Sequence, residues 1–187
     1  MGRIIGISGS LRSASVNAAL LRAAASLAPT GTEVEVASIK GIPLYDGDLE
    51  QAHGIPEPVD ALKQKIAAAD GLLLVTPEYN SSIPGVFKNA IDWLSRPPRD
   101  IPRVFGGKPV AIIGATPGRA GTRLAQTAWL PVLRTLGAEL WTGKQLYVAE
   151  TGVAFDREGQ LVDAKVRELL ADFMAGFATF VAARHGR

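Results

Sequence analysis

The 187-residue chain contains no cysteine and only two histidines. Disulfides, thiolate metal sites and cysteine nucleophiles are therefore excluded. His53 and His185 stand alone, without partners at metal-ligand spacing, so both read as surface residues and no metal site is expected. No apolar run approaches the about 20 residues that a membrane span requires. Charge of one sign is also missing. The net charge is +2, no dense Lys/Arg stripe is present, and no nucleic-acid-binding motif is found, so neither DNA nor RNA is an expected partner. Repeats, low-complexity stretches and interdomain linkers are absent. Met1-Gly2-Arg3 leads directly into a strand, with no signal-peptide pattern, and Gly6 stands where a myristoylation motif wants Ser or Thr. A cytoplasmic address is the expectation.

With 47% hydrophobic and 20% charged residues, the chain is too apolar for disorder and can bury a core. Its length suits one domain covering residues 1–187, since domains most often run to about 100–200 residues. Apolar runs and helical periodicity alternate along it. Strands are predicted at 3–8, 33–38, 72–76, 109–115 and 138–148. Helices are predicted at 15–27, 59–69, 84–94, 122–136 and 163–183, with a loop over 40–58. Pro131 falls inside the fourth helix and predicts a bend or break near 128–130. The run 155–161 reads as a small hairpin. Alternation of this kind implies a parallel sheet with helices on both faces, because crossovers are right-handed. Arg96, Arg99, Arg103 and Lys108, interleaved with prolines, read as a solvated loop or, more sharply, as an anion-attracting rim.

In such sheets ligands sit beyond the carboxyl ends of the strands. Three post-strand loops here are rich in small polar residues: 8–17, 77–84 and 116–122. The first reads Ser8-Gly9-Ser10-Leu11-Arg12-Ser13-Ala14-Ser15-Val16-Asn17. It points N–H groups, hydroxyls and one guanidinium at a helix N-terminus, a combination that binds phosphate. Two common phosphate loops are excluded. Gly6-Ile7-Ser8-Gly9-Ser10-Leu11 does not match G-x-G-x-x-G, and no lysine follows a glycine in this loop as a Walker A motif requires. A terminal monophosphate fits; the duller reading is that one serine merely caps the helix.

The second loop opens Thr76-Pro77-Glu78-Tyr79-Asn80-Ser81-Ser82-Ile83-Pro84-Gly85 and continues through Lys88-Asn89-Ala90-Ile91-Asp92-Trp93. Together with the Gly9-Ser10-Leu11-Arg12 loop, this stretch resembles the NAD(P)H-dependent FMN reductase family, which includes quinone, chromate and azo-dye reductases. The likeness covers nearly the whole chain. It implies a flavodoxin-like three-layer sandwich with a five-stranded parallel sheet in the order 2-1-3-4-5.

The resemblance further implies FMN as cofactor and NADPH or NADH as co-substrate, with a quinone or similar small molecule as electron acceptor. Ser10, Arg12, Ser15, Val16 and Asn17 would hold the FMN phosphate. Pro77, Glu78, Tyr79 and Asn80 would pass along the isoalloxazine ring. Thr116, Gly118 and Gly121 would lie against its other edge or the ribityl chain. No catalytic side chain is implied, because the flavin carries the hydride chemistry. The alternatives are a flavin reductase feeding a monooxygenase, a flavodoxin-like electron carrier, and a flavin-binding sensor or structural protein without turnover. The family commonly forms homodimers or homotetramers, and Phe87, Ile91, Trp93, Leu124, Trp129 and Leu133 would serve either an interface or the core.

Overall fold

The computed structural model describes residues 2–184, so His185 lies outside the described residues. Four strands, β1 (Gly2–Ser8), β2 (Thr32–Ala37), β3 (Gly71–Val75) and β4 (Pro109–Ala115), form the body of one parallel sheet. Two short strands, β5 (Glu139–Leu140) and β6 (Tyr147–Val148), both pair with β4. The order is β2-β1-β3-β4-β5, as expected.

Side-chain alternation along the strands sorts the core into two layers. Ile5, Ile7, Leu72, Leu74 and Val110 face one side, where α3 (Glu57–Ala67), α4 (Gly85–Leu94) and α6 (Arg123–Thr135) cover them. Ile4, Leu73, Val75, Ala111 and Ile113 face the other, under α1 (Val16–Ser26) and α8 (Ala164–Ala182). β3 is buried at every position, as a central parallel strand with both faces covered must be.

The predicted fifth strand, 138–148, is the main departure. It survives only as β5 and β6, two residues each. Between them the chain leaves the sheet, and the Trp141 ring packs edge-on against Phe173 of α8 (centroids 4.8 Å apart). Gly143 sits under that indole, where a Cβ would lie 2.6 Å from its Nε1. Burying a tryptophan against α8 outweighs a few ladder hydrogen bonds in a polar segment.

Shorter elements were hidden from periodicity because they bury little. The 40–58 loop contains α2 (Gly47–His53), capped by the Asp46 carboxylate, which accepts from Asp48 N–H at 2.9 Å, and closed by Gly54 at φ 75°. His53 is exposed, as expected. A 3-10 turn (Pro98–Asp100), α5 (Ile101–Val104) and α7 (Thr151–Ala154) are likewise additions. α6 runs through Pro131 as a continuous helix rather than a broken one. Pro131 is exposed, so the carbonyl whose partner it removes can turn to water.

The aromatic face of α4 and α6 belongs to the core. Phe87, Ile91, Trp93, Trp129 and Leu133 are all buried within this one chain, which removes them as interface residues; Leu124 alone of the six is exposed. The basic segment is partly solvated, with Arg99 and Arg103 exposed, and is tied down by side-chain bonds. Arg96 Nε donates to Glu50 at 2.8 Å, Arg103 donates to Gln64 at 3.0 Å, and the Lys108 ammonium donates to the Ala69 carbonyl; Arg99 is exposed.

Lys63 fastens this segment from below. Its side chain is 1% exposed, and its ammonium donates to the Arg96 carbonyl and the Asp100 carboxylate. That hydrogen bond holds the Asp100 carboxyl below the ordinary carboxylate range. A depressed carboxyl contributes stability above its unfolded value, about 4, and loses it as pH falls through the folded value. Urea denaturation of the wild type should therefore show a stability loss below about pH 4 that is smaller in Asp100→Asn. Equal acid slopes in the two proteins would contradict the pairing.

Candidate functional site

The carboxyl ends of β1, β3 and β4 meet at a cleft of about 360 Å³, within the range of about 300–1,000 Å³ usual for ligand sites. Its floor rests on close approaches that exclude side chains. A Cβ on Gly9 would fall 2.1 Å from Cδ1 of Phe87, and one on Gly114 would fall 2.2 Å from the Thr76 carbonyl oxygen. Phe87 packs edge-on against Trp129 (4.9 Å), and the Trp129 indole N–H donates to Thr76 Oγ1 at 3.2 Å. Thr76 passes its own hydroxyl hydrogen to the Pro77 carbonyl (2.8 Å). The first and second loops thus sit on one packed aromatic pair.

Nine of the twelve residues singled out from the sequence line this cleft: Ser10, Arg12, Ser15, Val16, Asn17, Pro77, Glu78, Tyr79 and Thr116. Ala14, Ala115 and Pro117 complete the wall. The other three stand back from it. Asn80 is exposed at φ 50° in the tight turn that Tyr79 and Ser82 close with two backbone hydrogen bonds; Ser81 follows at φ 60°. Gly118 is exposed, and its carbonyl accepts from Glu150 N–H at 3.2 Å. Gly121 is buried at φ 65°, with Tyr147 Cβ 2.6 Å from the place a Cβ would take. Its glycine is required by backbone conformation and by that close approach.

Among the lining residues the roles divide. Ser15 is the N-cap of α1, its Oγ accepting from Ala18 N–H at 3.3 Å. The N–H groups of Val16 and Asn17, the first two of the helix, meet no acceptor among the described residues. Ser10 Oγ accepts from Arg12 N–H at 3.3 Å, and the exposed Arg12 guanidinium has no carboxylate partner among the described residues. Ser8, the last residue of β1, holds a buried hydroxyl with no partner. The Val16 and Asn17 N–H groups and the Arg12 guanidinium form an unsatisfied set of donors at the positive end of one helix, as an anion seat requires.

Asn17 was read from sequence as a phosphate donor, but its carboxamide is already engaged. Oδ1 accepts from Ala115 N–H at 2.9 Å, and Nδ2 donates to the Ala115 carbonyl at 2.8 Å. The side chain thus ties the first turn of α1 to the end of β4, and its backbone N–H remains for a ligand. Glu78 is similarly occupied. One carboxylate oxygen accepts from Leu124 N–H (2.8 Å) and Ala125 N–H (3.0 Å), capping α6, whose own N-cap residue Thr122 makes no side-chain cap. The start of α6 is thereby neutralised, and α1 is left as the open helix N-terminus on this cleft. Buried Gln126, which sequence reading did not single out, braces the third loop by donating to Thr122 Oγ1 and the Leu146 carbonyl. Nothing in a sequence distinguishes it from any polar helix residue.

No group of three or more potential metal ligands exists among the described residues. Arg96, Arg99, Arg103 and Lys108 do not line the cleft. Arg119 pairs with Glu150 at 3.4 Å, and Arg123 lies over the Tyr147 ring (4.9 Å to its centroid).

The family model described as NADPH-dependent FMN reductase matches residues 2–174. The chain belongs to that family. It is 47% identical over 168 residues to an NAD(P)H-dependent FMN reductase of Pseudomonas aeruginosa, covering 90% of this chain and 89% of that one. It is 43% identical over 179 residues to a 2-hydroxy-1,4-benzoquinone reductase of Burkholderia sp., covering 96% of both. Among solved structures, the flavoenzyme NAD(P)H:(acceptor) oxidoreductase FerB of Paracoccus denitrificans superposes with a TM-score of 0.87 at 33% identity, with 98% of each chain covered. The fold is flavodoxin-like and the chain is an oxidoreductase of the FMN reductase type.

Because Asn17 holds helix and sheet together, Asn17→Ala should destabilise the flavin-free protein by about 2–4 kcal/mol, two hydrogen bonds plus the backbone groups they leave unpaired. Chemical denaturation without ligand measures it. A change under about 0.5 kcal/mol, the size of a surface substitution, would show that the carboxamide is not structural.

Proposed function

We propose that the protein binds FMN in this cleft and uses NADPH or NADH to reduce a quinone or a similar small acceptor. The observation that carries this reading is the set of unsatisfied donors at the open N-terminus of α1, facing the loops at the ends of β3 and β4. FMN, when bound, supplies a ring that takes up two electrons from a nicotinamide and releases them to an acceptor.

The chain supplies placement. The N–H groups of Val16 and Asn17, the hydroxyls of Ser10 and Ser15, and Arg12 hold the phosphate, with charge-assisted hydrogen bonds from Arg12. The segment Pro77–Asn80 borders the ring, kept in position by the left-handed pair Asn80 and Ser81. Such a conformation costs about 1–3 kcal/mol per residue and persists because the flanking hydrogen bonds hold it. Thr116 and Pro117 bound the opposite wall, Gly118 follows them outside the cleft, and Gly121 sets the approach of that loop to Tyr147. Glu78 keeps its carboxylate on α6 and takes no part as acid or base. Tyr79, 49% exposed beside the cleft, offers an aromatic face to a flat acceptor or nicotinamide.

The chain acts as one domain and assembles as a homodimer or homotetramer. A groove between α4 and α6, with Ile101, Val132 and Leu136 among its walls, offers an apolar face for a second copy. The mildly positive net charge favours an enzyme over an electron carrier, which docks to basic partners through an acidic surface. Among the described residues no helix is long and apolar enough to cross a membrane; the proposed place of action is the cytoplasm.

The purified protein should carry a visible flavin band that bleaches under anaerobic NADPH and returns on adding a quinone. A protein that stays colourless when FMN is supplied would overturn the proposal. Arg12→Ala should weaken FMN binding by about 1.5–3 kcal/mol, the range for a charged hydrogen bond; equilibrium titration of the variant reads this, and unchanged affinity would remove Arg12 from the phosphate site.

A further inference from the structure

A second cleft, of about 410 Å³, opens between α1 and the hairpin after α7. It shares Ala14, Ser15 and Val16 with the first cleft, so the two meet along the segment that grips the phosphate. None of residues 77–80 or 116–118 lines it; it adjoins the phosphate end alone.

Its far wall is a rigid turn. Phe155 bridges Leu161, Asp156 Oδ1 accepts from Gln160 N–H at 2.7 Å, and Gly159 adopts φ 76°. A three-residue loop closed by a left-handed glycine is a well-determined hairpin connection, and it holds Arg157 and Glu158 exposed at its tip. The near wall is α1, where Arg22 Nη2 lies 3.5 Å from the place a Gly159 Cβ would take. Neither Arg22 nor Arg157 has a carboxylate partner among the described residues. Two guanidiniums with nothing to neutralise therefore flank a nucleotide-sized space, next to the seat proposed for the FMN phosphate.

We propose that this cleft receives the adenylate half of FAD, so that the chain takes FAD as well as FMN. The inference rests on the FMN reading above. In FAD the phosphate of the FMN half is joined to a second phosphate carrying adenosine, so the extra half starts at the atoms that the 10–17 loop holds. Arg22 and Arg157 meet the second phosphate. Glu158 accepts from ribose hydroxyls, while Asp156 is already committed to Gln160. Val16 and Ala19 offer an apolar flank to the adenine. A nicotinamide nucleotide is the poorer fit, because its reactive ring must reach the Pro77–Tyr79 wall that this cleft does not touch.

The test is fluorescence titration of the flavin-free protein with FMN and with FAD, in the wild type and in the Arg22→Ala/Arg157→Ala double variant. FAD should bind the wild type within about tenfold of FMN, and the double variant should lose about tenfold or more in FAD affinity while keeping its FMN affinity. FAD binding weaker than that in the wild type overturns the proposal, as does a double variant that changes both flavins alike or neither. A raised KM for NADPH with FAD affinity intact would give the cleft to the nicotinamide nucleotide and also overturn it. A protein that binds neither flavin overturns the FMN reading itself, and this inference with it.

Discussion

The pairing of the Asn17 carboxamide with the Ala115 backbone is the constraint on which the site depends. A side-chain amide that accepts from the N–H and donates to the carbonyl of one residue acts as a short piece of extra strand at the carboxyl end of β4. It fixes the first turn of α1 against the end of β4, two segments that lie 98 residues apart in the chain. The loop preceding α1 and the loop following β4 then have to face each other. In the buried interior, where water cannot replace a lost partner, that geometry is held firmly.

Around this clamp the polar groups separate into those the protein satisfies and those it leaves open. Glu78 satisfies the start of α6, and Gln126 satisfies the third loop. The start of α1 receives one cap from Ser15 and is otherwise left with free donors, beside an unpaired arginine and an orphaned Ser8 hydroxyl. Folded proteins rarely leave such a cluster without a partner. The aromatic pair Phe87 and Trp129 forms the floor, and Gly9 and Gly114 permit the backbone approaches above it. Packing and polarity thus both support the proposed seat for a phosphate joined to a flat ring.

Much of this was legible in the sequence because it is local. The apolar run of β3, the Ser15 cap and the small polar loops after β1, β3 and β4 follow from periodicity and loop chemistry over a few residues. What was not legible depends on partners distant in the chain. Sequence cannot show that the Asn17 carboxamide is taken up by Ala115, leaving only its N–H for a phosphate, and the polar, glycine-containing run 142–145 gave no sign that Trp141 would draw it out of the sheet toward Phe173. Phe87, Trp93 and Trp129 have the same pattern whether they fill a core or an interface, and only the packing decides. α2 buries no residue and α7 is a single turn, so neither leaves a periodic signal, although Asp46 and Gly54 could have marked the ends of α2.

The central claim is that the open end of α1 recognises a phosphate, and comparing two flavins that differ only in that group tests it directly. Calorimetric titration of the flavin-free protein should give FMN an affinity at least about 100-fold above that of riboflavin, as two or more charge-assisted hydrogen bonds imply. Equal affinities would contradict the account, leaving the ring wall alone to hold the flavin and the donors at α1 without a role.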